Sequence, residues 1–124
     1  MADKITEMLH DPEWLEDMLS TASYGSYWFG YSIHPDTPEE MYNGNWEYRE
    51  QKWAHVLLNG GWLEIEDVEE EKSYKVGMAE IETGFRKLMV EEPQCYANIM
   101  EENYDQIDAE NFIQVVLFGE VIYG

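Results

Sequence analysis

Apolar and polar positions alternate between helical and extended spacing along this chain, and each switch is marked by a turn or cap. Asp11, Pro12 and Glu13 form a helix start: a capping carboxylate, proline at the first helical position, then acid in the first turn. Trp14, Leu15, Met18, Leu19 and Ala22 then share one helical face, and Ser23, Tyr24 and Gly25 end the helix. Residues 27–33 read as a strand, with Tyr27, Phe29, Tyr31 and Ile33 on one face and Ser26, Trp28, Gly30 and Ser32 on the other. Gly30 in that strand implies room for a neighbouring backbone.

His34 and Pro35 break the strand. Thr37, Pro38, Glu39 and Glu40 carry the residues of a capping box opening a short helix, which the Asn43-Gly44-Asn45 turn cuts off. A longer helix is expected over about 46–58, with Trp46, Trp53, Val56 and Leu57 as its buried stripe, stopped by Asn59, Gly60 and Gly61. Leu63 and Ile65 alternate with Glu64 and Glu66 as a half-buried strand. A charged turn follows at 69–72, and residues 73–76 return as a second strand of a hairpin. Met78, Ile81, Phe85, Leu88 and Met89 mark an amphipathic helix that Pro93 stops. Tyr96, Ile99 and Met100 suggest a further short helix. Asp108 is read as the cap of a last one, apolar nearly all round at Phe112, Ile113, Val115, Val116, Leu117 and Phe118 and therefore central to the core. Gly119 ends it, and Val121, Ile122 and Tyr123 are expected to pack as an extended tail. The order predicts one α+β domain over 1–124, with a small antiparallel sheet of about three strands covered by helices.

Charge changes the picture more than composition does. Twenty-seven Asp and Glu face seven Lys and Arg, a net charge of −20 on 124 residues. With 44% hydrophobic residues and 15% aromatics, the chain has the means to fold despite self-repulsion. Such acidity disfavours nucleic acid and anionic membranes as direct partners and favours cationic ones. Its bland reading is a very soluble surface. The acids gather at Asp11, Glu13, Glu16 and Asp17; at Glu64, Glu66, Asp67, Glu69, Glu70 and Glu71; and at Glu101, Glu102, Asp105, Asp108 and Glu110. Carboxylates two apart on a strand or four apart on a helix stand about 5–7 Å apart. Rows at that interval imitate the charge of a phosphate backbone. The residues expected to meet a basic partner are Glu64, Glu66, Asp67, Glu69, Glu70, Glu71, Glu101, Glu102 and Asp105.

Other chemistry is weakly signalled. The lone Cys95 excludes an internal disulfide and reads as a small core hydrophobe in a reducing cytosol. The start, from Met1 and Ala2 on, lacks the basic-then-apolar pattern of a signal peptide, and no apolar run is long enough to span a membrane. In the register of an EF-hand loop, Met100 would have to be a ligand, Asp105 a glycine and Asn111 a bidentate glutamate, so no specific calcium site is expected. His10, His34 and His55 lack zinc-ligand spacing. Arg49, Lys52 and His55 share a helix side and are expected to pair with the hairpin acids. No nucleophile-elbow, phosphate-loop or dinucleotide motif occurs, so neither catalysis nor a cofactor is expected. The aromatic strand is taken mainly as core, with one or two rings free as interface anchors.

Three phrases matter together: TASYGSYWFG at 21–30, KWAHVLLNGG at 52–61 and VLFGEVIYG at 116–124. Through them the chain resembles a family of small acidic proteins carried by conjugative and phage-like elements of gut bacteria. The resemblance implies a setting, not a site. Mobile elements carry acidic inhibitors of host defence, including anti-restriction and anti-CRISPR proteins that mimic DNA. The expectation is therefore a cytoplasmic, non-enzymatic protein that binds a basic protein surface, as a DNA-mimic inhibitor of a nucleic-acid-binding defence protein. The alternatives are an immunity-type protein neutralising a basic toxin, a structural or regulatory component of the element, or a small-ligand binder with an aromatic pocket. Oligomeric state is not legible.

Overall fold

The computed structural model describes residues 3–24 and 26–124. Met1, Ala2 and Gly25, which figure in the readings of the N-terminus and of the first helix stop, lie outside the described residues. Among the described residues six α-helices and one three-stranded antiparallel sheet form an α+β fold. Helix α1 (Lys4–Leu9) is capped by Asp3, whose carboxylate accepts from the Thr6 amide at 2.8 Å. Helix α2 (Pro12–Ser23) starts afresh at Asp11, as its capping pattern demands, and buries Trp14, Leu15, Met18, Leu19 and Ala22. After β1 (Phe29–Ile33) and a 3-10 turn (Glu39–Met41) come α3 (Arg49–Leu58), β2 (Leu63–Asp67) and β3 (Lys72–Val76). Helices α4 (Met78–Glu91), α5 (Pro93–Met100) and α6 (Gln106–Phe118) follow.

The sheet order is β1-β2-β3, with Tyr31 opposite Ile65 and Ile65 opposite Tyr74. Phe29, Leu63, Ile65 and Val76 bury the inner face. The outer face carries Gly30, Ser32, Glu64, Glu66, Ser73 and Lys75, in register across the three strands. Nothing stands within 4 Å of where a Gly30 Cβ would sit, so the glycine opens onto space instead of admitting a neighbouring backbone. One aromatic cluster centres on Trp28, 1% exposed, with Phe29, Tyr123 and Phe118 rings at 4.4, 5.0 and 5.7 Å. A second joins Trp14, Phe85 and Phe112 between α2, α4 and α6. Such pairs add to the area these large rings bury.

Several local readings are corrected. Trp28 turns inward just before β1, while Tyr27, placed on the core face, is 66% exposed. Thr37 caps no helix: its hydroxyl donates to the Trp62 carbonyl at 2.8 Å and accepts from the Trp62 amide at 2.9 Å, because burial there rewards a cross-chain bond. Helix α3 starts at Arg49, not Trp46, since Gln51 Oε1 accepts the Glu47 amide and Tyr48 is extended. Trp46 instead donates its indole N–H to the Tyr42 carbonyl. Met89 is 47% exposed, off the buried stripe of α4. The cap of α6 is Asp105, and Asp108 is the reciprocal acid three residues on.

Helices α4 and α6 meet at Gly84. A Cβ there would stand 2.7 Å from the Val116 backbone Cα. The C-terminal tail is clasped from inside: Gln114, 3% exposed, accepts the Ile122 and Tyr123 amides at 2.7 and 2.8 Å and donates to the Tyr123 carbonyl. The Tyr123 hydroxyl then donates to both oxygens of Asp67, at 2.8 and 3.1 Å.

Gly84→Ala should lower stability by about 1–3 kcal/mol, because overpacking outweighs the roughly 1 kcal/mol that alanine gains in helix propensity; urea unfolding measures it. The Tyr123 hydroxyl is pushed up to about 12, first by burial and then by its bond to Asp67. That lies above its ordinary value of ~10. The stability it supplies is therefore full below the ordinary value and lost as pH rises through about 12. Thermal unfolding of the native chain and Tyr123→Phe, followed into that alkaline window, should show the native chain's advantage shrinking.

Candidate partner-binding surface

The local structure sorts the expected acids into exposed and spent ones. On β2, Glu64 and Glu66 point to the open face of the sheet, half-buried and exposed respectively. Glu69, Glu70 and Glu71 are exposed on the turn that joins β2 to β3. Asp67 is the exception and a correction: it is fully buried on the inner face of β2. Its carboxylate accepts the Glu69 and Glu70 amides at 3.0 and 3.3 Å as well as the Tyr123 hydroxyl, so it holds the turn and the tail and faces no partner. By sequence Asp67 counts among the hairpin acids; β2 extends to it and puts it in phase with Leu63 and Ile65.

Glu101 caps the C-terminal end of α5. Asp105 is exposed but occupied, accepting the Asp108 amide at 2.9 Å. Glu102 has φ +57° and Glu71 φ +53°, left-handed backbone that costs a non-glycine residue about 1–2 kcal/mol.

A further concentration of carboxylates lies along α2 and draws on two other elements. One concavity of about 390 Å³ is lined by Glu13, Glu16, Asp17, Tyr48 and Glu50. The next, of about 400 Å³, is lined by Asp11, Glu13, Trp14, Asp17, Glu102 and Tyr104. Glu13 and Asp17 belong to both. Two tyrosines fix the row: Tyr48 donates to Glu16 at 2.8 Å and Tyr104 to Asp17 at 2.7 Å. The bond to Glu16 raises the Tyr48 hydroxyl; burial, then the bond to Asp17, raises that of Tyr104. Of the nine residues expected to meet a partner, Glu102 alone lines these concavities. Glu50, Tyr48 and Tyr104 were missed. Packing of α3 and of the loop before α6 on α2 brings them in, and no spacing in the sequence encodes that.

Among the described residues three of the seven Lys and Arg are ion-paired, and one of them, Arg49, sits on Glu50 at the first concavity. Arg86 reaches Asp3 at 2.8 Å and Glu82 at 2.9 Å, tying α1 to α4. The Asp3 carboxyl is held down to about 2, first by the Thr6 amide and then by Arg86. Lys75 stands opposite Glu64 in register, yet its ammonium meets Asp36 at 2.8 Å and lies 4.1 Å from the Trp62 ring centroid. Arg49 pairs with Glu50 at 3.5 Å and lies over Trp53, not on the hairpin acids as expected. Among the described residues no Lys or Arg pairs with a hairpin glutamate, Glu101, Glu102 or Asp105 within 4.0 Å.

No three His, Cys, Asp or Glu among the described residues converge as metal ligands. His10 bonds the Thr6 carbonyl, His34 accepts the Asp36 amide, and His55 stacks on Trp46 at 5.0 Å. Cys95 is buried against the Asp108 carbonyl at 3.2 Å, and burial, with Asp108 next, pushes its thiol up to about 12, far from a reactive thiolate. No helix among the described residues is long and apolar enough to cross a membrane. No protein-family model, curated protein or solved structure matches the chain.

Glu102→Asn should raise stability by up to about 1 kcal/mol, since asparagine accepts the left-handed backbone and one repelling charge is removed. Denaturant midpoints at low and high salt measure it: the backbone share persists in salt and the charge share fades.

Proposed function

We propose that this chain binds a basic protein surface as a decoy for nucleic acid and thereby inhibits a nucleic-acid-binding defence protein, in the manner of the anti-CRISPR or anti-restriction inhibitors that mobile elements carry. The observation that carries the reading is the fixed row of carboxylates on α2, continued by Glu102, in two adjoining concavities. Carboxylates held by tyrosine hydroxyls are ordered before binding, which spares about 0.5–1.5 kcal/mol for each side chain that would otherwise be immobilised. The open sheet face supports it further, because Glu64 and Glu66 stand there among small residues that let a flat or convex basic surface approach. Electrostatic complementarity of this kind speeds association and makes it salt-sensitive.

Capture from a host lysate at low and high salt, with duplex DNA as competitor, tests the reading. A nucleic-acid-binding protein should be retained at low salt and released by salt and by DNA. Two charge-reversed variants locate the surface: Glu64→Lys, Glu66→Lys, Glu69→Lys and Glu70→Lys together, and Glu13→Lys with Glu102→Lys. At least one set should weaken retention about tenfold or more while circular dichroism stays unchanged. Retention indifferent to both sets, or to DNA, would overturn the decoy.

A further inference from the structure

A third concavity lies away from the carboxylate row. It holds about 150 Å³ and is lined by Tyr27, Trp28, Ile107, Glu110, Asn111 and Tyr123. Tyr27 and Ile107 are each 66% exposed, whereas Trp28 is 1% exposed. Two large apolar side chains thus stand at the mouth of a cleft without serving the core. The Trp28 indole N–H donates to Glu110 Oε1 at 3.1 Å, which fixes the carboxylate beside the aromatic wall. No Lys, Arg or His among the described residues pairs with Glu110 within 4.0 Å.

Size selects the class of occupant. About 150 Å³ accommodates a benzene-sized group. Sites for whole cofactors or drug-sized ligands run to roughly 300–1,000 Å³. The cleft therefore suits one side chain. Chemistry selects which one. A neutral ring would fill the apolar walls and leave Glu110 unpaired. An ammonium would satisfy Glu110 but is compact and strongly hydrated. A guanidinium is planar and weakly hydrated, stacks on aromatic faces and offers a carboxylate two parallel donors. The chain's net charge of −20 excludes an acidic occupant and draws a basic one.

We infer that the Tyr27–Ile107 cleft is a receptor for a single arginine side chain of a basic polypeptide, its stem against Ile107, its guanidinium between Tyr27 and Glu110. This rests on the proposed binding of a basic protein and adds the residue that anchors it. Arginine and tyrosine are enriched among the few residues that dominate interface energetics, so one seated arginine gives register to contacts that charge alone leaves diffuse.

The test is a titration of isotopically labelled full chain, by two-dimensional amide NMR, with the capped tripeptides Gly-Arg-Gly, Gly-Lys-Gly and Gly-Glu-Gly. The arginine peptide should move the Trp28 indole N–H and the amides around Ile107 and Glu110 saturably. The lysine peptide should bind about threefold or more weakly, and the glutamate peptide should leave those signals in place. Glu110→Gln keeps an oxygen for the Trp28 indole, so the fold is retained, yet it should weaken the arginine peptide about tenfold. Tyr27→Ser, at an exposed position, should weaken it as well with unchanged melting temperature. Shifts confined to the α2 concavities, or equal binding by Glu110→Gln, would overturn the cleft. If basic proteins are retained from lysate while the cleft signals stay still, the cleft fails and the decoy stands. If the cleft takes arginine while no nucleic-acid-binding protein is retained, the decoy fails and the cleft stands.

Discussion

Repulsion among carboxylates sets the terms on which this chain folds. A surplus of 20 negative charges over 6971 Å² of surface leaves roughly 350 Å² to each, a mean spacing on the order of 20 Å against a Debye length of ~8 Å in physiological salt. Spread evenly, the charges would scarcely feel one another. Gathered at helical spacing of about 5–6 Å, they do. The fold tolerates the gathering by giving many acids a local duty. Asp3, Asp11 and Asp105 cap helices, where orphan amides and the positive end of the macrodipole favour a carboxylate. Glu80 bonds back to the Gly77 amide, Asp108 to that of Asp105, and Asp67 satisfies a turn from within. Each acid placed this way stabilises what a free one would strain.

Two aromatic clusters supply the opposing term. Trp28, Phe118 and Tyr123 bind the tail, β1 and α6 into one unit, and Trp14, Phe85 and Phe112 lock α2, α4 and α6 together. One draws on Phe112 in the middle of α6 and the other on Phe118 at its C-terminal end, which explains why a segment apolar nearly all round is found there. Close approach at Gly84 lets α4 sit against that helix without a gap. The scarce cations reinforce the same joints: Arg86 ties α1 to α4, and Lys75 ties β3 to the loop at Asp36.

Elements whose cause is local were legible in the sequence. The start of α2 followed from Asp11 and Pro12, the buried faces of α2 and α4 from helical spacing, the hairpin from alternation, and the stop of α6 from Gly119, which takes the left-handed conformation at φ +79°. Readings failed where a distant partner decides. Thr37 carries every residue of a capping box, but a buried hydroxyl beside the Trp62 backbone bonds across the chain instead. Asp67 looks like one more exposed hairpin acid until Tyr123, far along the sequence, donates to it. Asp108 reads as the cap of α6 by sequence, and the backbone shows that Asp105 precedes the helix instead.

The same division applies to the surface. The acidity of α2 was visible residue by residue, since Asp11, Glu13, Glu16 and Asp17 are close in sequence. Its shape was not, because Tyr48, Glu50, Glu102 and Tyr104 reach it only through the packing of α3 and of the α5–α6 loop. That difference bears on what the surface can imitate. Duplex DNA presents one charge per ~1.7 Å of axis with full mobility of its counterions, a density that a single helix row at about 5–6 Å cannot reach. Glu50 from α3 in one concavity and Glu102 from the α5–α6 loop in the next raise the local density above what α2 alone offers, and the hydroxyl bonds at Glu16 and Asp17 fix where two of the charges stand. The proposed imitation of a polyanion therefore rests on tertiary packing, with the sequence supplying the charge and the fold supplying its spacing.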